Sequence, residues 1–136
     1  MAISEVHHVV NLEVESTFNI LADFARHRVP LTRVRSVDGG FIARTAIGPI
    51  GFDDPMTITA WEPPHRLRIE KTGKVLAGWA EIEVVPAGPG SAIMWREEIR
   101  PAFLPGFVSQ AAAVPTKLAT EAMIRALLAD LFADVA

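Results

Sequence analysis

The final stretch of the chain, roughly Ser109 to Val135, constrains the fold more than any other. Between Lys117 and Val135 there is neither Gly nor Pro, and Ala and Leu dominate. Thr120, Met123, Ile124, Leu127, Leu128, Leu131 and Val135 recur at helical spacing and share one face. Ala122, Ala126, Ala129 and Ala133 form the back. Glu121 precedes Arg125 by one turn, the favourable order for a surface ion pair. Such a helix is stable only when its apolar face finds a partner. Nearly everything upstream reads as strand, so the spacing predicts a long helix laid across a sheet. The functional question is what fills the space between them: packed side chains or a guest.

Taken in order, Ile3 to Leu12 alternates. Val6, His8, Val10 and Leu12 fall on one side, and Glu5, His7 and Asn11 on the other. His7 and His8 therefore diverge, with His8 among the valines. Glu13 to Ala25 switches to helical spacing through Phe18, Leu21, Ala22 and Ala25. Ser16 or Thr17 is placed to cap a start, and Pro30 ends what is helical before it. Two short helices are expected here. Strands return at Val34 to Val37 and, after the turn Asp38-Gly39-Gly40, at Phe41 to Ile47. Gly48 to Pro55 reads as an irregular loop. Met56 to Trp61, Leu67 to Thr72, Gly78 to Val85 and Ala92 to Arg100 complete the strands. Consecutive strands joined by short turns are antiparallel. The fold class is α+β: about seven curved antiparallel strands, two short helices after the first, and a long C-terminal helix. The 136 residues suffice for one domain with one core, and no internal repeat or long linker divides them.

This order resembles the helix-grip fold of the START/Bet v 1-like (SRPBCC) superfamily, in its polyketide cyclase/dehydrase-like branch. Three stretches carry the resemblance. Asn11 to Phe18, running on through Leu21-Ala22-Asp23-Phe24, looks like the family's first strand entering its helix pair. Trp61-Glu62-Pro63-Pro64-His65-Arg66-Leu67 looks like its Trp-Glu-Pro-Pro corner. Gly90 to Arg100 looks like its last strand. Glu13 departs from the pattern, where members usually carry Pro. The resemblance implies a hollow between sheet and helix that takes a lipid-, quinone- or polyketide-like molecule. It also implies two alternatives: a polyketide cyclase or dehydratase, and a protein-interaction module. The motifs are structural rather than catalytic, so fold does not decide among these.

The residues narrow the chemistry. There is no Cys, which excludes disulfides, thiolate nucleophiles and iron–sulfur ligation. No Gly-x-Ser-x-Gly elbow and no phosphate-binding glycine loop occurs. His7, His8, His27 and His65 lack metal-ligand spacing, so no metal and no cofactor is expected. A formal charge of −3 with intermixed signs argues against nucleic acid. No apolar run is long enough to span a membrane, and no signal-peptide pattern opens the chain; a cytoplasmic setting fits. Homodimerisation through the alanine back is also open.

Acid–base work is the serious enzymatic option. In Ala92 to Arg100, Ile93, Trp95, Glu97 and Ile99 share one face. If that face looks toward the helix, Glu97 is a carboxyl in apolar surroundings, its pKa raised as in a general acid. The alternatives are a rim salt bridge or the opposite register. His8 is the candidate proton partner of Glu97, against a histidine merely held by one hydrogen bond. Trp79, Trp95, Phe103, Leu104, Phe107, Met123, Ile124 and Leu127 are the candidate ligand-lining residues, against a packed core.

Overall fold

A computed structural model describes residues 3–24, 27, 32–74, 76–101 and 113–135. Seven strands form one antiparallel sheet: β1 (Ser4–Val10), β2 (Thr32–Val37), β3 (Gly40–Ile47), β4 (Ile50–Glu62), β5 (Arg66–Thr72), β6 (Leu76–Ala87) and β7 (Gly90–Pro101). Helix α1 (Val14–Ala22) follows β1, and helix α2 (Ala113–Leu131) follows β7. The strand order is β1-β7-β6-β5-β4-β3-β2. Every neighbour after β2 is joined by a hairpin, and only β1 crosses over to pair with the last strand. The expected second short helix falls largely on residues outside those described.

Alternation sets the faces. In β1, Ser4, Val6 and Val10 are buried, His8 is half-buried, and Glu5, His7 and Val9 are exposed. In β7, Ile93, Trp95 and Glu97 point inward. The hairpin turn at Asp38-Gly39 works because Gly39 has φ +76°, a conformation L side chains rarely adopt.

Strand β4 corrects the expected loop at Gly48 to Pro55. It runs unbroken from Ile50, with Asp54 opposite Ala43 and Pro55 opposite Ile42 of β3. The ladder to β5 begins only at Met56–Lys71. Pro55 therefore sits where β4 has a single neighbour and its missing N–H costs no bond. A register shift between Ile58 and Ala60 then turns Trp61 toward α1, where it meets Phe18 edge-on with centroids 5.5 Å apart.

Helix α1 begins one residue after Glu13, whose extended backbone stands at the N-cap position. Thr17, expected as a cap, is instead buried; its hydroxyl donates to Ser91 at 3.2 Å, tying α1 to β7. Helix α2 buries the expected face: Thr120, Ile124, Leu127, Leu128 and Leu131, joined by Phe132 just past its end. The alanine back is exposed. Glu121 feels the Arg125 charge, but its hydrogen bonds go elsewhere. It is buried against edge strand β1, where its carboxylate accepts from the Glu5 backbone N–H at 3.0 Å and from Lys117 at 2.7 Å.

Candidate functional site

The concave face is divided in character. One part is apolar and closed. Phe18 and Leu21 of α1 and Ile124, Leu128 and Phe132 at the α2 end pack with Val10, Leu67, Ile82, Val84 and Ile93 in a single buried cluster. The other part carries charge. Asp54, Lys71 and Glu97 are each at most 9% exposed.

Strand periodicity puts them there. Lys71 continues the inward series Leu67, Ile69 of β5, and Glu97 continues Ile93, Trp95 of β7. Between them on β6, Gly78 lies opposite Lys71 and Ala80 opposite Glu97. Gly78 has φ +138°, and a Cβ there would stand 1.9 Å from the Glu98 carbonyl oxygen. No large side chain of β6 therefore separates β5 from β7 at this level.

Lys71 Nζ donates to Asp54 Oδ2 at 2.9 Å and lies 3.6 Å from the Met56 sulfur. Burial pushes the Glu97 carboxyl up to about 7; the Lys71 charge opposes this shift and the Asp54 charge adds to it. Glu97 is thus divided between its two protonation states near neutrality. Asp54 Oδ1, Trp95 Nε1 and Glu97 Oε2 are buried with no hydrogen-bond partner among the described residues.

Aromatic rings border this polar end. Phe24 stacks on Phe41 with centroids 4.3 Å apart, His27 meets Phe24 at 5.4 Å, and Trp95 lies 6.2 Å from His27. The run crosses from β3 to β7. His27 Nε2 donates to the Leu21 carbonyl at 2.8 Å, since a carbonyl only accepts. Burial pushes the His27 pKa down, against the opposing pull of that carbonyl and of Asp23. It is therefore a neutral imidazole at physiological pH.

The anticipated pairing of His8 with Glu97 is corrected by the register. His8 lies opposite Ile93, whereas Glu97 lies opposite Ser4. Four residues of strand, about 13 Å, separate the two positions. His8 instead faces Phe132 at 6.3 Å and lines an open cleft of about 550 Å³ with Val10, Pro89, Gly90 and Val135.

Trp79 is also displaced from its expected place. It stands one residue out of phase with inward Ala80, so it lies on the convex face, where the Arg68 guanidinium covers its ring at 4.6 Å. Trp95 is inward, as the alternation requires. Ile124 and Leu127 lie in the packed cluster, and Met123 is half-buried. Phe103, Leu104 and Phe107 fall outside the described residues. Sequence reasoning passed over Lys71, Asp54 and His27. The Leu67-x-Ile69-x-Lys71 alternation carried a signal for the first; Asp54 had none, lying in a stretch that read as loop, nor had His27, lying between the helical spacing that ends at Ala25 and Pro30. Among the described residues no cluster of metal-binding side chains occurs, and no helix is long and apolar enough to cross a membrane.

A family model described as polyketide cyclase / dehydrase and lipid transport matches residues 1–136. Among curated proteins, none matches this sequence. The fold is shared with solved structures of low identity. CV1439 from Chromobacterium violaceum has a TM-score of 0.70 at 16% identity, over 99% of this chain and 98% of its own. Ara h 8.0201 gives 0.61 at 13%, over 97% of this chain and 98% of its own. DynU16, from the dynemicin biosynthetic locus, gives 0.63 at 13%, over 95% of this chain and 45% of its own.

Proposed function

The chain belongs to the polyketide cyclase / dehydrase and lipid transport family, and from that premise we propose that it holds one hydrophobic or aromatic small molecule between the sheet and α2. The observation that carries this reading is the polar end of the concave face: Glu97, Asp54 and Trp95 bring unpartnered polar atoms into an otherwise apolar wall. Binding sites for small molecules have this composition, mostly apolar with a few placed polar groups. A neighbour in fold, DynU16, comes from a biosynthetic locus, which is compatible with a small-molecule role. Native mass spectrometry and dye displacement with lipids, quinones and aromatic polyketides test the reading. One class should bind at a single site per chain; no binding across all three defeats it.

A second reading is favoured by one observation. A buried carboxyl with a pKa near 7 can give and take a proton at neutral pH, as a cyclase or dehydratase needs. On this reading Glu97 is the general acid or base, and His8 is too distant to be its partner. Glu97→Gln then abolishes turnover of a polyketide-like substrate while binding survives. Unchanged turnover removes the enzyme and leaves the carrier.

A further inference from the structure

Leaving a buried donor or acceptor unpaired forfeits its hydration with nothing in return, and native chains leave few so. Here three such atoms occur on one face: Asp54 Oδ1, Trp95 Nε1 and Glu97 Oε2. Trp95 and Glu97 are successive inward positions of β7, about 7 Å apart along the strand. Asp54 reaches the same region through Lys71, whose charge Glu97 feels together with that of Asp54.

Their chemistry is complementary to a definite kind of group. The indole N–H only donates. The free oxygen of ionised Asp54 only accepts. The Glu97 carboxyl donates or accepts according to its protonation. The charges are already committed: Lys71 is paired with Asp54 at 2.9 Å. On the docked helix, Lys117 is paired with Glu121 at 2.7 Å. His27, the titratable group beside Trp95 among the described residues, is held below its ordinary range by burial. Among these groups no cation remains to receive an anionic ligand, while two carboxyl groups are present to repel one.

We propose that Trp95, Glu97 and Asp54 form the polar anchor of the ligand site, and that they select apolar molecules bearing a neutral oxygen head group and reject carboxylates. A ligand carbonyl accepts from the Trp95 indole and from protonated Glu97. A neighbouring hydroxyl donates to Asp54. Fatty acids and other carboxylates meet uncompensated repulsion in a desolvated place. This selection deepens the carrier reading and rests on it.

The test is equilibrium binding by the full chain to three naphthalene probes at pH 6 and pH 8.5, read by tryptophan fluorescence and calorimetry. The probes are naphthalene, 2-acetylnaphthalene and 2-naphthoate, with the anthracene analogues as a larger set. At pH 6 the ketone should bind about tenfold tighter than the hydrocarbon, the gain expected from one or two satisfied hydrogen bonds. The carboxylate should bind no better than the hydrocarbon. At pH 8.5 the ketone's advantage should shrink, because ionised Glu97 no longer donates. Glu97→Gln should keep the preference and lose its pH dependence, and Trp95→Phe should weaken the ketone alone. Equal affinity for all three probes, or preference for the carboxylate, overturns head-group selection and leaves the carrier standing. Failure of every probe in both sets to bind overturns the two together.

Discussion

At the scale of single residues, Glu97 couples the fold to pH. Its carboxyl is raised from 4.5 to about 7 in the folded chain. Between those values the native state binds more protons than the unfolded state, so stability falls as pH rises. The contribution is fully present below pH 4.5 and gone above 7. A shift of this size corresponds to roughly 3 kcal/mol. Urea melts from pH 4 to 8 should show that loss in the wild type and a flatter profile in Glu97→Gln. The Lys71–Asp54 pair tests a different cost. Lys71→Met leaves Asp54 buried without its partner and should destabilise by about 3–5 kcal/mol. Adding Asp54→Asn should recover part of it in the same assay. That Glu97 shares a face with Ile93 and Trp95, and His8 with Val6 and Val10, was legible in the alternation of their strands; which way those faces look was not. Nor was the separation of the two residues, because alternation gives the face of a residue and says nothing of which partner stands opposite. Lys71 shared the inward phase of Leu67 and Ile69, yet a charge at a core position reads as an exposed residue until Asp54 is known to meet it.

At the scale of elements, the run of strands and the long helix were readable because period 2 and period 3.6 differ sharply over these lengths, whereas the pairing of β1 with β7 is non-local and was not. The exception was the first half of β4. Asp53-Asp54-Pro55 has the composition of a turn, and it is tolerated in a strand for two non-local reasons: Lys71 pairs with Asp54, and the pairing of β4 with β5 stops at Met56–Lys71, short of Pro55. Neither reason is visible in a local window. The docking of α2 was half legible. Its apolar face is as the spacing requires, while Glu121 turns inward to serve the Glu5 amide on the unpaired side of β1. Replacing Glu121 by Ala should therefore speed hydrogen exchange at the Glu5 amide and leave the amides of β4 unchanged. Equal exchange in both proteins would show that the helix is held by its apolar face alone.

At the scale of the whole molecule, the concave face is divided between a closed apolar part and a buried polar part. Phe18, Leu21, Ile124 and Leu128 close the apolar part with almost no exposure, and closely packed interiors are rigid. The polar part contributes less to cohesion, because three of its buried polar atoms have no hydrogen-bond partner among the described residues. The sheet's two margins are treated differently as well. The β1 margin is covered by α2. At the other, β2 pairs only with β3 among the strands and shows Arg33 and Arg35 on its exposed positions. Positive charges along such a rim keep identical copies from zipping together, rim against rim, into fibrils. Arg33→Thr combined with Arg35→Val should lower the concentration at which light scattering rises, while circular dichroism of the dilute protein stays the same.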